Sequence, residues 1–488
     1  MRTKKKLIVA ILSFALLFGT MPSKGVPVSA AGVGLKRNIT VTKGKSKILQ
    51  VKNAKRTVTW KILSGKKYIT LESKGKAAAT VRGKAEGIAK VQAAVGAKKL
   101  TCYVTVKAAV SKNAPKGADK QDVAALKKLI AKQRERGAKV SEALGSDEYT
   151  WKNGKLIGID WYMRKLSGDL DVSACVNLIE FDCCYGQLTS LDVSGCANLQ
   201  QLRCKNNQIS GLDVTKNAAL TYLSCSSNQL SNLDVAGNVN LEWLECSDNQ
   251  LSNLDVAGNV NLTQLECNGN QLSSLDVAGN VKLKTLSCIS NKLGSLNVNG
   301  CVDLQNFACG NNQLTSLDVT NNAKLWFFSC SFNQLGSLDV SNCVELIDLT
   351  CSSNQLTNLD VTKNAELTWL ICDNNQLTDL NLTKSVDLSE LHCENNQLGS
   401  LDVSNCTYLQ ILHSENNQLT NLDVSGCTDL RELHCGNNRL ASLDLTKNAK
   451  LSWLTCKNNQ LTSLNLKNNK ELSTLECDDT VAVKGYKR

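Results

Sequence analysis

After Phe18 the chain has no long apolar run, and the stretch from Leu7 to Phe18 is short for a bilayer-spanning helix. A built-in membrane anchor is therefore not expected. The sequence also lacks a nucleophile–base pair, a phosphate-cradling glycine loop and any HExxH-type metal motif. Enzymatic chemistry has nothing to rest on, and no cofactor is expected. Histidine is nearly absent, with three in 488 residues. No carboxy-terminal sorting tail follows the last repeat, which points to a released protein without covalent wall attachment. Lysine and arginine thin out along the chain: residues 1–165 carry 37 against 9 acids, whereas residues 166–488 carry 19 against 35. The acidic second part argues against nucleic acid as the main ligand. The basic first part suits electrostatic association with an anionic cell envelope, such as wall glycopolymers or lipid head groups.

What is present begins with a secretory signal over residues 1–31. Arg2 and Lys4 to Lys6 form the basic region, Leu7 to Phe18 the apolar one, and Val28-Ser29-Ala30 or Ser29-Ala30-Ala31 the cleavage site. The mature protein is thus expected to be secreted, extracellular or cell-surface associated.

From Cys183 to Cys477 one position returns every 21 residues without insertion or deletion, and it is cysteine at fourteen of fifteen occurrences, Ser414 being the exception. A fixed period of this length carrying L-x-x-L-x-C-x-x-N-x-L is the mark of a leucine-rich-repeat solenoid. About fifteen coils are expected over residues 166–480, with residues 481–488 as a tail. Counting from the cysteine as position 0, Leu at −5 and −2 should point inward from a short parallel strand. Leu at +5 and +8 and Val at +10 should complete the core. Asn at +3 should hydrogen-bond the turning backbone of its own and neighbouring coils. Asp at +9 and Asn or Cys at +13 should fix the return turn, so Asp192, Asp213 and Asp234 read as structural acids. Twenty-one residues leave little room for a helix on the convex side, where extended segments are expected.

Twenty-two cysteines in an exported chain ordinarily suggest disulfides. Here fourteen occupy the ladder slot and six (Cys175, Cys196, Cys301, Cys343, Cys406, Cys427) the +13 slot, leaving Cys102 and Cys184 outside both. Coils stacked about 4.8 Å apart bring in-register sulfurs close, but a disulfide needs convergent Cβ atoms and a specific dihedral. A buried thiol simply fills a small apolar space. The ladder is expected to be reduced; the adjacent pairs Cys175/Cys196 and Cys406/Cys427 stay open.

Ahead of the repeats, residues 32–108 show short β runs at Ile39-Thr40-Val41, Val58-Thr59-Trp60, Ala79-Thr80-Val81, Ala89 to Val95 and Cys102 to Val106. Their order resembles the bacterial group-two immunoglobulin-like module, which implies a small all-β sandwich acting as a spacer or display unit. Residues 109–120 read as a Lys/Ala/Gly/Pro linker. Residues 121–136 form an amphipathic helix with Val123, Leu126, Leu129 and Ile130 on one face, ended by Gly137. A solenoid needs its end shielded. Residues 121–165 are therefore assigned as a helical N-terminal cap, with Leu156, Ile159 and Trp161 as an atypical first coil.

The helical cap, the 21-residue coils and the cysteine replacing a leucine together resemble the internalin-type surface proteins, over roughly residues 121–480. The resemblance implies attachment to host proteins or glycans. The chain departs from that family in its missing sorting signal and in the position of its immunoglobulin-like module.

Strand alternation places −3, −1 and +1 on the concave surface. Position −3 holds Tyr222, Trp243, Phe327, Trp369, Ile411 and Trp453, side chains of the kind enriched at interaction hot spots. Acids share that face, Glu245, Glu266, Asp348, Glu390, Glu394, Glu415 and Glu432 among them, so a partner of basic character is expected. The three histidines, His392, His413 and His434, fall at −1 of consecutive coils. With the neighbouring glutamates they can share a zinc ion, act as a pH switch near pH 6, or be a polar strip left by repeat duplication. The expected partner is an extracellular protein or peptide, with glycan as the alternative; no nucleic acid and no metal are assigned.

Overall fold

The computed structural model describes residues 35–54, 56–107 and 111–486, so the signal segment lies outside it. The described residues fall into two compact units.

The first comprises residues up to Ala118 together with Ser141–Tyr149. Seven strands build two sheets: β1 (Asn38–Thr42), β2 (Ser46–Gln50), β3 (Thr59–Ser64), β4 (Ile69–Lys74), β5 (Ala78–Gly83), β6 (Gly87–Val95) and β7 (Lys98–Lys107). One sheet runs β1-β7-β6-β3 and the other β2-β5-β4. Alternating residues such as Val81, Val91 and Val104 form the core between them. β2 and β4 were not among the runs expected from the sequence. β2 buries Leu49 while leaving Ile48 exposed, as befits an edge strand. Cys102 is wholly buried in this core as a thiol.

The second unit opens with helix α1 (Lys120–Glu135), which Asp119 caps by accepting from the backbone N–H of Gln121 and Asp122. Arg136 lies outside the helix, and Gly137 takes the left-handed turn that follows at φ 88°. Leu126, Leu129 and Ile130 are buried, while Val123 is only partly so. Polar bonds join the helix to the first coils. The buried carboxylate of Asp122 accepts from Leu156 N at 2.9 Å and from Asn177 Nδ2 at 3.1 Å. Gln133 exchanges bonds with Ser167, donating to its carbonyl at 3.2 Å and accepting from its N–H at 3.1 Å. Lys132 and Arg136 both pair with Asp169.

A hairpin of β8 (Tyr149–Lys152) and β9 (Lys155–Asp160) leads into the repeats. β9 pairs in parallel with Glu180–Asp182, placing Ile159 opposite Phe181. Trp161 then fills the ladder slot at zero exposure, edge-on to Phe181 at 6.3 Å. From there three-residue strands follow in register every 21 residues to Thr474–Glu476, so that Leu202, Leu223, Leu244 and their successors stack in one column. Phe307 and Phe328 replace two of these leucines and lie parallel at 5.3 Å, still without exposure. Among the described residues of the repeats there is no helix; the convex side is made of turns and extended backbone, with single bridges between coils and a two-stranded parallel sheet at each end, Ser167–Asp171 with Gln187–Asp192 and Ser463–Asn465 with Ala482–Lys484.

Side-chain amides carry the turns. Asn207 donates to the carbonyls of Cys183 (3.0 Å) and Cys204 (2.9 Å) and accepts from Leu188 N (3.0 Å), and the later coils repeat the arrangement as far as Asn459. At +13, Asn217 donates to Val193 O and Cys196 O. At Cys196, Cys301, Cys343 and Cys427 the thiol takes over that bond: Cys196 Sγ lies 3.3 Å from Val172 O. The +9 acid closes an Asx turn, with Asp213 accepting from both Thr215 N and Thr215 Oγ1. Position +2 takes the left-handed conformation throughout, from Tyr185 (φ 60°) and Asn206 (φ 57°) to Asn458 (φ 56°).

All 22 cysteines are buried and unpaired. Burial pushes the ladder thiols up, Cys225 and Cys267 to about 12 and Cys246 and Cys309 well above their ordinary value. Ser414 fits the same slot: its hydroxyl donates to His434 O at 3.2 Å, the bond that Cys393 Sγ makes to His413 O at 3.4 Å.

Candidate functional site

The parallel register carries each −3 and −1 side chain onto one face, where three clusters differ in chemistry. Near the start, Arg203 lies over the ring of Tyr222 at 4.6 Å, and that ring meets Trp243 at 5.3 Å. Glu245 accepts from Tyr222 Oη (3.2 Å) and Ser224 Oγ (2.6 Å), which fixes the edge of the cluster. Burial and then the Glu245 charge raise the Tyr222 phenol above its ordinary pKa, keeping it a donor. Trp243 remains 37% exposed.

In the middle the face closes on itself. Phe327 was expected to be an accessible platform, but it is only 5% exposed. Trp326 and Ile347 at position −4, with Ala308, pack around it, and Ile289 and Trp369 lean on the same cluster. Position −4 is polar in most coils, so these large apolar side chains convert a projecting ring into a small surface core. Asp348 in the next coil is also buried, at 1%.

The third cluster runs from Trp369 to Trp453. Trp369 Nε1 donates to Glu390 Oε2 at 2.8 Å, and Glu390 Oε1 holds His392 Nε2 at 2.8 Å. The imidazoles stack along the sheet, His392 on His413 at 4.3 Å and His413 on His434 at 4.2 Å, with Trp453 beyond at 5.4 Å. His434 Nδ1 meets Thr455 Oγ1 at 3.0 Å. Glu394 and Glu415 approach His392 Nδ1 and His413 Nδ1 at 3.9 and 3.8 Å. Ile411 sits half-buried between Glu390 and Glu432 in the register. Trp453 is 42% exposed at the end of the column.

Electrostatics divides these histidines. Burial pushes His392 down, but Glu390 and Glu394 outweigh it and raise it to about 9. For His413 burial and the charge of His392 act together and lower it to about 4. His434 is lowered as well, chiefly by burial. A charged imidazole thus stacks on a neutral one at neutral pH.

Sequence reasoning missed exposed aromatics outside −3, of which Phe332 and Tyr408 are the most exposed in the repeats. Phe332 at +2 is 62% exposed, and Tyr408 is 58% exposed beside a shallow hollow of about 400 Å³ lined also by Trp369, Asp387 and Gln410. Both interrupt otherwise polar columns, which is the signal that would have found them.

No family model matches the chain, and no curated protein matches it in sequence. Solved structures do. The functional domain of InlJ from Listeria monocytogenes, which includes a cysteine ladder, is 32% identical with a TM-score of 0.61, over 65% of this chain and 72% of that one. A leucine-rich-repeat protein of Leptospira interrogans is 26% identical with a TM-score of 0.56, over 63% and 86%. The Arabidopsis receptor kinase HAESA shares the fold at 18% identity and a TM-score of 0.56, over 75% and 74%. With its unbroken 21-residue period and stacked buried thiols, the chain belongs to the internalin-like leucine-rich-repeat proteins with a cysteine ladder.

Proposed function

We propose that this is a secreted, non-enzymatic binding protein that recognises an extracellular protein or peptide through its concave face. The observation that carries this reading is the pair of solvent-exposed tryptophans, Trp243 and Trp453, standing on a rigid ladder among acids. Large rings that keep their surface in water on such a frame are typical anchors for a partner. The acids around them favour a basic partner and an association weakened by salt. Phe327, being buried, is left out of the contact set. Helix α1 acts as the N-terminal cap in this reading, and the seven-stranded unit as an immunoglobulin-like spacer. Internalin-like relatives are binding scaffolds, in keeping with an adhesin. None of the described helices is long and apolar enough to cross a membrane.

The test is binding of the full chain to a panel of basic extracellular proteins and peptides. Trp243→Ala/Trp453→Ala should weaken the interaction at least about tenfold without altering the fold. Val260→Ser, on an exposed return turn, should leave it unchanged. Undiminished binding by the double tryptophan variant would overturn the concave-face reading. A second reading, tethering to an anionic glycan or envelope, rests on the 37 basic residues among the first 165. It predicts polyanion binding that survives both tryptophan substitutions.

A further inference from the structure

We propose that His392, Glu394 and His413 form a binding site for a divalent ion of the zinc class, with Glu415 as fourth donor. The ligand-bearing atoms of the first three lie within 4.8 Å of one another. Imidazole nitrogen and carboxylate oxygen are a donor set that suits zinc. A tetrahedral ion about 2.0–2.2 Å from each donor sets the donors roughly 3.4 Å apart. The His392–Glu394 and His413–Glu415 pairs, at 3.9 and 3.8 Å, need to close by about half an ångström, and the other pairs among the first three donors, within 4.8 Å, by up to about 1.4 Å, which side-chain rotation supplies.

Two further observations point to a ligand. Glu394 Oε2 and Glu415 Oε2 are both buried with no hydrogen-bond partner, a costly state for a carboxylate oxygen. His392 is also held the way metal-binding histidines are. Its Nε2 is engaged by Glu390, itself fixed by Trp369, which leaves Nδ1 facing Glu394. A carboxylate on the far nitrogen orients the ring and raises its basicity as a ligand. The neighbouring trio His413, Glu432 and His434 has comparable spacing, but His434 Nδ1 is taken by Thr455. No carboxylate is bonded to that ring, and the trio shares His413 with the first site. The buried thiols do not compete in the native chain, because they are packed in the core, out of reach of an ion on the concave face.

This proposal is independent of the concave-face partner and stands or falls separately. Zinc alone should be titrated into the chelator-stripped full-length protein, with cobalt as a spectroscopic probe. The expected result is saturable binding of one equivalent, with no thiolate-to-metal charge-transfer band in the cobalt spectrum. His413→Gln and Glu394→Gln should weaken binding at least about tenfold, and Glu390→Gln, through the orientation of His392, by about tenfold or more. His434→Gln should leave it unchanged. Glu394→Gln is nearly isosteric, so unchanged circular dichroism keeps its result decisive if His413→Gln misfolds. Absence of saturable binding, a thiolate band, or binding that survives Glu394→Gln and vanishes with His434→Gln would each overturn the assignment.

Discussion

The residue at +2 of each coil shows how much of a repeat is set by backbone geometry. Left-handed φ is tolerated by Asn, Asp and Gly and costs other L-residues about 1–2 kcal/mol. Asparagine holds this place in Asn206, Asn311 and Asn374, whereas Phe332 adopts φ 57° with its ring 62% exposed. Nothing in the packing compensates for that ring. Phe332→Asn should therefore raise stability by roughly 0.5–1 kcal/mol, seen as a higher midpoint in chemical denaturation. A simultaneous loss of partner binding would mean the strain is kept for contact. The +3 asparagines could be read beforehand because one residue type serves one chemical task. Position +2 could not, since its task belongs to the main chain and Tyr185, Ser227, Asp248 and Phe332 all perform it. Phe327 eluded the reading for another reason. Period alone assigns a face, but exposure on that face depends on neighbours such as Trp326 and Ile347.

Among elements, α1 is held to the first coils by bonds of unequal weight. Asp122 is 1% exposed and satisfies Leu156 N and Asn177 Nδ2, so removing it strands a buried backbone donor. Asp122→Ala should cost about 2–4 kcal/mol and raise hydrogen exchange along α1 before the repeats loosen. Asp169 is solvent-exposed, and its bonds to Lys132 and then Arg136 hold its carboxyl well below the usual range. A folded value below the unfolded one, about 3.9, means the contribution is present above pH 4. It fades only as pH falls through the depressed value. Asp169→Asn should thus change exchange in α1 slightly at pH 6 and less as the solution becomes strongly acid, because exposed pairs contribute little. A larger effect from Asp169→Asn than from Asp122→Ala would contradict this ordering. The helix was legible within a residue at each end from its apolar spacing and Gly137. Its bonding to the coils was not, since Asp122 and Asn177 lie 55 residues apart with no shared pattern.

For the whole molecule the cysteine ladder decides how the chain answers oxidation and unfolding together. Each thiol is buried, burial raises the pKa of ladder thiols such as Cys246 and Cys309, and no disulfide crosses the described coils. Successive coils bring sulfurs near one another, but parallel in-register side chains do not converge as a disulfide requires. A small thiol also suits this slot sterically: a leucine there adds methylenes to a tight column, an overpacking of about 1–3 kcal/mol per site. The two cysteine columns follow the same logic with different bonds, for Cys196 replaces an asparagine donor to Val172 O while Cys183 reaches Arg203 O at 3.5 Å. Even the adjacent pairs Cys175/Cys196 and Cys406/Cys427 therefore serve as free thiols in the folded chain. Native protein treated with an alkylating reagent should remain almost unlabelled, because neither thiolate nor access is available. After denaturation without reductant, mass spectrometry should find nearly all of the thiols labelled. Labelling should rise in step with loss of the sheet's circular dichroism, since opening one coil exposes its neighbours' sulfurs. Recovery of neighbouring ladder cysteines as linked pairs from freshly denatured protein would show instead that the columns are oxidised, and that crosslinks rather than stacked side chains hold successive coils in register.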